Sequence, residues 1–214
     1  MNKKRSIIIA ALLLIAAIAG WYFLYFTKTP AYSLNLVRES VQKHDVNAFK
    51  QHVDVDAFIS STYDDIMEFT IENSEFKDNP LSINFAKGLI AMIKPAAAGA
   101  IKEELLKAVE KGSWQDEKNT GTTDSTAQKP AAPSQSNQIV EKSGLKSVGF
   151  QGIEYTKKDG TTALVGIKIH EQTLGTSYVL DIQMRELDNG SWQVTGIANL
   201  KDYLQELQKA KENA

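Results

Sequence analysis

The chain has 214 residues, with 24 Lys and Arg against 26 Asp and Glu, a net charge of −2, 43% apolar residues and 23% charged residues. That composition belongs to a globular protein rather than a disordered one, and it lacks the basic footprint that nucleic acid demands. There is no Cys, which excludes thiol catalysis, cysteine-based zinc sites and a lipid-modified cysteine, and leaves the core to hold the fold without disulfides.

In chain order, the first element is hydrophobic. Ile7 to Phe26 carries no charge, follows Lys3, Lys4 and Arg5, and ends in Trp21, Tyr22, Tyr25 and Phe26. About twenty apolar residues span a bilayer core. The basic residues on one side and the aromatic belt on the other predict a single-pass anchor over 7–26, with 1–6 cytoplasmic and the rest extracytoplasmic. A cleaved signal peptide ending at Ala17-Ile18-Ala19 is the rival reading. It would leave those aromatics on an apolar new N-terminus, so the anchor is preferred. Without Lys3, Lys4 and Arg5 the outer part holds 21 basic against 26 acidic residues, a net −5, and shows no polybasic lipid-binding surface.

Thr29-Pro30 reads as a helix cap followed by a first-turn proline, opening a helix to about Lys43 with Leu34, Val37 and Val41 on one face. Asp45 is placed to cap a second helix carrying Val46, Phe49 and Val53. Asp54 is placed to cap a third, with Val55, Phe58, Ile59, Ile66 and Phe69 at helical spacing. Asn79-Pro80 opens another, carrying Ile83, Leu89, Ile90 and Ile93, which Pro95 is expected to break or kink. A last run, Ile101 to Val109, is expected to stop at Gly112. From Gln115 to Gln138 there is no large apolar side chain. Such a stretch cannot bury a core, so 113–143 is expected to be a disordered insertion.

The pattern then changes to period two. Strands are expected over Lys146–Tyr155, Thr161–Glu171, Tyr178–Leu187 and Ser191–Ala198, with a turn at Lys158-Asp159-Gly160. Placing Met184 and Val194 on one face requires a three-residue loop over 188–190, with Gly190 at the left-handed position. Asn199 is placed to cap a final helix with the stripe Leu200, Tyr203, Leu204 and Leu207. The expectation is an α+β domain: helices 29–112 on one face of a curved antiparallel sheet of about four strands, with the sheet and closing helix in 144–214.

Two stretches carry a resemblance. Thr29-Pro-Ala-Tyr-Ser-Leu through Asp45-Val-Asn-Ala-Phe to Val53-Asp54-Val-Asp56 resembles the opening of a family of uncharacterised, membrane-anchored bacterial domains. Gly190-Ser-Trp192-Gln-Val194-Thr-Gly-Ile197-Ala-Asn199 resembles its last strand, and also the closing strand of nuclear-transport-factor-like (cystatin-like) domains. The resemblance implies a curved sheet wrapped on helices. It implies no activity, because that superfamily hosts enzymes, ligand binders and assembly modules.

Four groups of residues are candidates for function. His52, Asp54 and Asp56 offer metal-type ligands, although Asp54 and Asp56 also suit a helix start. Asp64, Glu68 and Glu72 stack like charges on one helix face, which a cation or basic partner would relieve. On the solvent face of the sheet, one register sets Lys168 across from Asp181, and His170 with Asp181 offers an acid–base pair. Phe150, Tyr155, Tyr178 and Trp192 are candidates to line a ligand pocket in the cone of the sheet. Ser74-x-x-Lys77 and Ser143-x-x-Lys146 lack the companion motifs of penicillin-binding proteins. No cofactor motif is present. The sequence therefore favours a non-catalytic binding or assembly module of the cell envelope, bound to the bilayer through 7–26 and to an envelope protein or to itself. A small-ligand binder is the alternative, and a hydrolase or isomerase using His170 and Asp181 ranks behind it.

Overall fold

In the computed structural model, residues 25–111, 148–171 and 175–212 are described, with scattered residues between 13 and 22. The insertion expected over 113–143 and most of the anchor expected over 7–26 lie outside the described residues. Among the described residues no helix is long and apolar enough to cross a membrane.

Each early helix begins where a short polar side chain satisfies its free N–H groups. Thr29 Oγ1 accepts from Tyr32 N at 3.2 Å and opens α1, Pro30–Gln42. Asp45 accepts from Asn47 N and Ala48 N and opens α2, Val46–His52. Asp54 accepts from Ala57 N at 3.1 Å and opens α3, Val55–Glu72. Between α1 and α2, His44 takes a left-handed φ of 58°. The His44 N–H reaches Val41 O and the Asp45 N–H reaches Ser40 O, which closes α1 with the double hydrogen bond usually built on glycine.

The fourth helix departs from expectation. α4 runs unbroken over Pro80–Lys111, 32 residues, with Pro95 inside it. Proline removes the bond to the carbonyl four residues back. That carbonyl belongs to Ala91, and both residues are exposed, so water is at hand for the freed oxygen.

The strands are β1 Val148–Asp159, β2 Thr162–Glu171, β3 Thr176–Glu186 and β4 Trp192–Ile197, an antiparallel meander in the order 1-2-3-4. β1 continues past Tyr155 to pair Asp159 with Thr162, so the first turn is Gly160-Thr161 rather than 158–160. The second hairpin follows the pattern argument. Met184 pairs with Val194 and Glu186 with Trp192 around a loop over 188–190, where Gly190 has φ 79°.

The meander buries one face. Val165, Ile169, Leu180, Ile182, Met184, Trp192 and Val194 meet Ile59 and Ile66 of α3. They also meet Leu200, Tyr203, Leu204 and Leu207 of the closing helix α5, Leu200–Glu212. α3 and the segment before it close the free edge of β4. Asp54 N donates to Val194 O at 2.9 Å, and Ser61 Oγ donates to Thr195 O at 3.3 Å. That edge is thereby withheld from pairing with another chain.

Candidate functional site

The metal-like string does not converge. Asp54 is occupied by the start of α3 and by Arg185 Nη2 at 3.0 Å, and Asp56 is held by Lys102 at 2.7 Å. His52 Nδ1 is buried, and burial lowers the His52 pKa below the ordinary histidine value of 6.5, against a hydrogen bond to the Trp192 backbone that raises it. No group of three His, Asp or Glu able to hold a metal ion occurs among the described residues.

The acidic face of α3 finds its cations within the chain. Lys94 of α4 meets Asp64 at 2.6 Å, while Lys201 of α5 meets Glu72 at 2.6 Å and Glu68 at 3.7 Å. The pairs Asp56–Lys102 and Asp64–Lys94 run in opposite order along α3 and α4, so the two helices are antiparallel. On α3 beside Lys201, burial together with the Glu68 and Asp64 charges raises the pKa of Asp65 above 3.8, with Lys201 opposing.

On the outer face of the sheet the register separates the expected acid–base pair. Asp181 lies across from Gly166, and His170 across from Ser177. Four residues along a strand amount to ~13 Å, so His170 and Asp181 do not meet. Lys168 faces Val179 and pairs with Glu154 at 3.8 Å, not with Asp181.

Asp181 instead accepts a hydrogen bond from Tyr155 Oη, reaching across β2 from β1. Gly166 makes this contact: a Cβ there would fall 2.5 Å from Tyr155 Cε1, so only glycine lets the ring lie on the strand. Asn199 fixes the backbone beneath, accepting from Asp181 N and donating to Val179 O, both at 2.8 Å. Its side chain therefore extends the ladder of β3, and only its backbone carbonyl serves α5, accepting from Tyr203 N at 3.1 Å. The Asp181 hydrogen bond pushes the Tyr155 phenol up to about 12, aided by burial and by the Asp181 and Glu154 charges. A donor held that far above neutrality is a clasp between strands rather than an acid or base at work near pH 7.

The four aromatic residues do not share a cavity. Tyr155 lies on the outer face, and the other three lie on the core side. Trp192 is wholly buried at 0% exposure, with Nε1 donating to Lys28 O at 3.1 Å. Tyr178 packs on Tyr203 of α5 with ring centroids 5.1 Å apart. Phe150 is half exposed beneath the Arg38 guanidinium, 5.0 Å from the ring centre. An open depression of about 310 Å³ lies elsewhere, between α2 and α4, lined by Val46, Lys50, Glu103, Leu106, Lys107 and Glu110.

The surface that sequence reading missed is on α4. Its inward side sets Ala98, Ile101, Leu105 and Val109 against the core. Its outer side carries Leu81, Phe85, Leu89 and Met92 at spacings of four and three, exposed to 80%, 69%, 40% and 71%. Ile93, one position on from Met92, is 43% exposed and widens the patch. The first charge on that side is Glu103, because Lys87 and Lys94 project on the other side. A helix apolar on both sides has a weak 3.6-residue alternation, and reading Pro95 as a break split the stripe in two.

No family model, no curated protein and no solved structure matches the chain.

Proposed function

We propose that this protein is a non-catalytic binding or assembly module of the bacterial cell envelope, tethered to the membrane by residues 7–26 and displayed outside the cytoplasm. The observation that carries the reading is the outer face of α4. A continuous uncharged apolar patch of that length is large for a protein that stays alone in water, and it marks an interaction surface.

The tether rests on the sequence and on what precedes α1. The described residues at 13–15, 17–18 and 20–22 are helical, and Leu13, Leu14, Ile15, Ile18 and Trp21 are exposed. A 3-10 turn over Phe26–Lys28 leads directly into α1, so the linker to the domain is short. Against a catalyst stands the separation of His170 from Asp181. Against a ligand cone stands the burial of Trp192 and Tyr178 under the helices.

The test uses the full chain in membranes, with a photocrosslinking amino acid in place of Phe85, Met92 or, as a control, Gln183 on the sheet. Protein adducts at positions 85 and 92 and none at 183 are expected, as is release of the chain into the soluble fraction on deletion of residues 1–26. Equal yields at all three positions, or none, would overturn the reading.

A further inference from the structure

Building on the reading of α4 as an interaction surface, we propose that its occupant is a second copy of this chain, docked helix against helix and antiparallel, with Met92 at the two-fold axis. Three properties of the face select this partner.

The first is charge. From Leu81 to Ala100 the outer side carries no ionisable residue. A helix lying in a lipid surface carries Lys or Arg along its flanks. Here the flanking positions hold Asn84, Ala86, Ala91 and Ala97. A second copy brings an equally uncharged strip, and a two-fold contact matches the patch to itself.

The second is shape. Phe85, Leu89, Met92, Ala96 and Gly99 follow one another at spacings of four and three, the seam spacing of paired helices. The large side chains lie in the N-terminal half of the stripe and the small ones in the C-terminal half. Turning a second helix end for end about Met92 sets Phe85 over Gly99 of the other copy, and Leu89 over its Pro95 and Ala96. Bulk then meets space along the seam. A parallel pair would set Phe85 on Phe85 and leave Gly99 facing Gly99.

The third is area. With Leu81, Phe85, Leu89, Met92 and Ile93 exposed as they are, the patch offers on the order of 550 Å² per copy. Two copies together remove about 1,100 Å², just above the ~1,000 Å² that a specific interface must clear. A tether that confines both copies to one membrane raises their effective concentration.

The chain has no Cys, so single-cysteine variants report only the position chosen. In membranes holding the full chain, mild oxidation of Met92→Cys is expected to give a species of twice 23.7 kDa. Co-expressed Phe85→Cys and Gly99→Cys copies are expected to crosslink at least ten times more than either alone, and Gln183→Cys not at all. Two differently tagged copies should co-purify, and Phe85→Glu with Met92→Lys should abolish this while the far-ultraviolet circular dichroism spectrum stays that of the folded chain. Phe85→Cys crosslinking to itself would overturn the antiparallel arrangement. Photo-adducts at position 92 to another protein, to lipid or to residues 112–147, without self-adducts, would overturn the self-association. Adducts to another protein alone would leave the binding-module reading standing, whereas no intermolecular adduct of any kind would remove both.

Discussion

On the outer face of the sheet, Tyr155 crosses Gly166 to Asp181, Lys168 meets Glu154, Ser177 Oγ donates to Gln151 at 2.8 Å, and Arg185 reaches Asp54. On the outer face of α4, Leu81, Phe85 and Met92 project into solvent with no counterpart among the described residues. Both surfaces are open, but the sheet face has satisfied itself within one chain and the helix face has not. Polar side chains in water lose little by remaining exposed, and a surface pair is worth only ~0–1 kcal/mol. A row of large apolar side chains forfeits about 25 cal/mol for each Å² it fails to bury. The difference teaches where to look for a partner: not at the charged cluster that catches the eye in the sequence, but at the apolar strip without a neighbour.

The largest expected effect tests whether the aromatic residues under the sheet belong to the core or to a binding cavity. Trp192→Ala should cost about 3–5 kcal/mol in denaturant unfolding, because a fully buried ring is lost; a loss below ~1 kcal/mol would return Trp192 to the list of cavity walls. Next comes the clasp. Gly166→Ala should destabilise by about 1–3 kcal/mol through overlap with the Tyr155 ring, and a Tyr155→Ala background should remove most of that cost.

Tyr155→Phe is a smaller change, of about 1 kcal/mol at neutral pH. It also carries a pH signature. A phenol at 10.0 in the unfolded chain and about 12 in the fold contributes stability that is complete below pH 10 and is lost as pH rises toward 12. Tyr155→Phe should flatten that part of the stability curve, and an unchanged curve would refute the clasp. His52 works in the opposite direction. Its folded pKa lies below the unfolded value of 6.5, so stability should decline as pH falls below 6.5, and His52→Gln should remove that decline. The smallest effect is expected at His170, exposed and far from Asp181: His170→Ala should change stability and crosslinking by no more than ~0.5 kcal/mol equivalent.

Much of the fold was legible because local chemistry and long-range packing agree. Thr29, Asp45 and Asp54 each start the helix their side chain suits. Gly190 sets the register that puts Met184 on Val194. What escaped the sequence depended on neighbours remote in the chain. Lys201 and Lys94 neutralise an acidic face that looked like a binding site, and each lies on another helix. The β2–β3 register, not the side-chain types, parts His170 from Asp181. Gly166, in the middle of an alternating strand, was the one local sign of the Tyr155 clasp. α4 was misread because Pro95 was given its usual meaning, although an exposed proline on a packed helix costs one hydrogen bond that water replaces.

The contrast between the two surfaces is tested most directly by cysteine labelling in intact membranes. Met92→Cys and Gln183→Cys, in the otherwise cysteine-free full chain, are treated with a bulky maleimide before and after detergent dilution. Position 183 should label fully in both states, and position 92 should be protected at least tenfold in the membrane and become reactive on dilution. Equal labelling of the two positions in the membrane would mean that the outer face of α4 is as bare as the sheet, and would contradict the account.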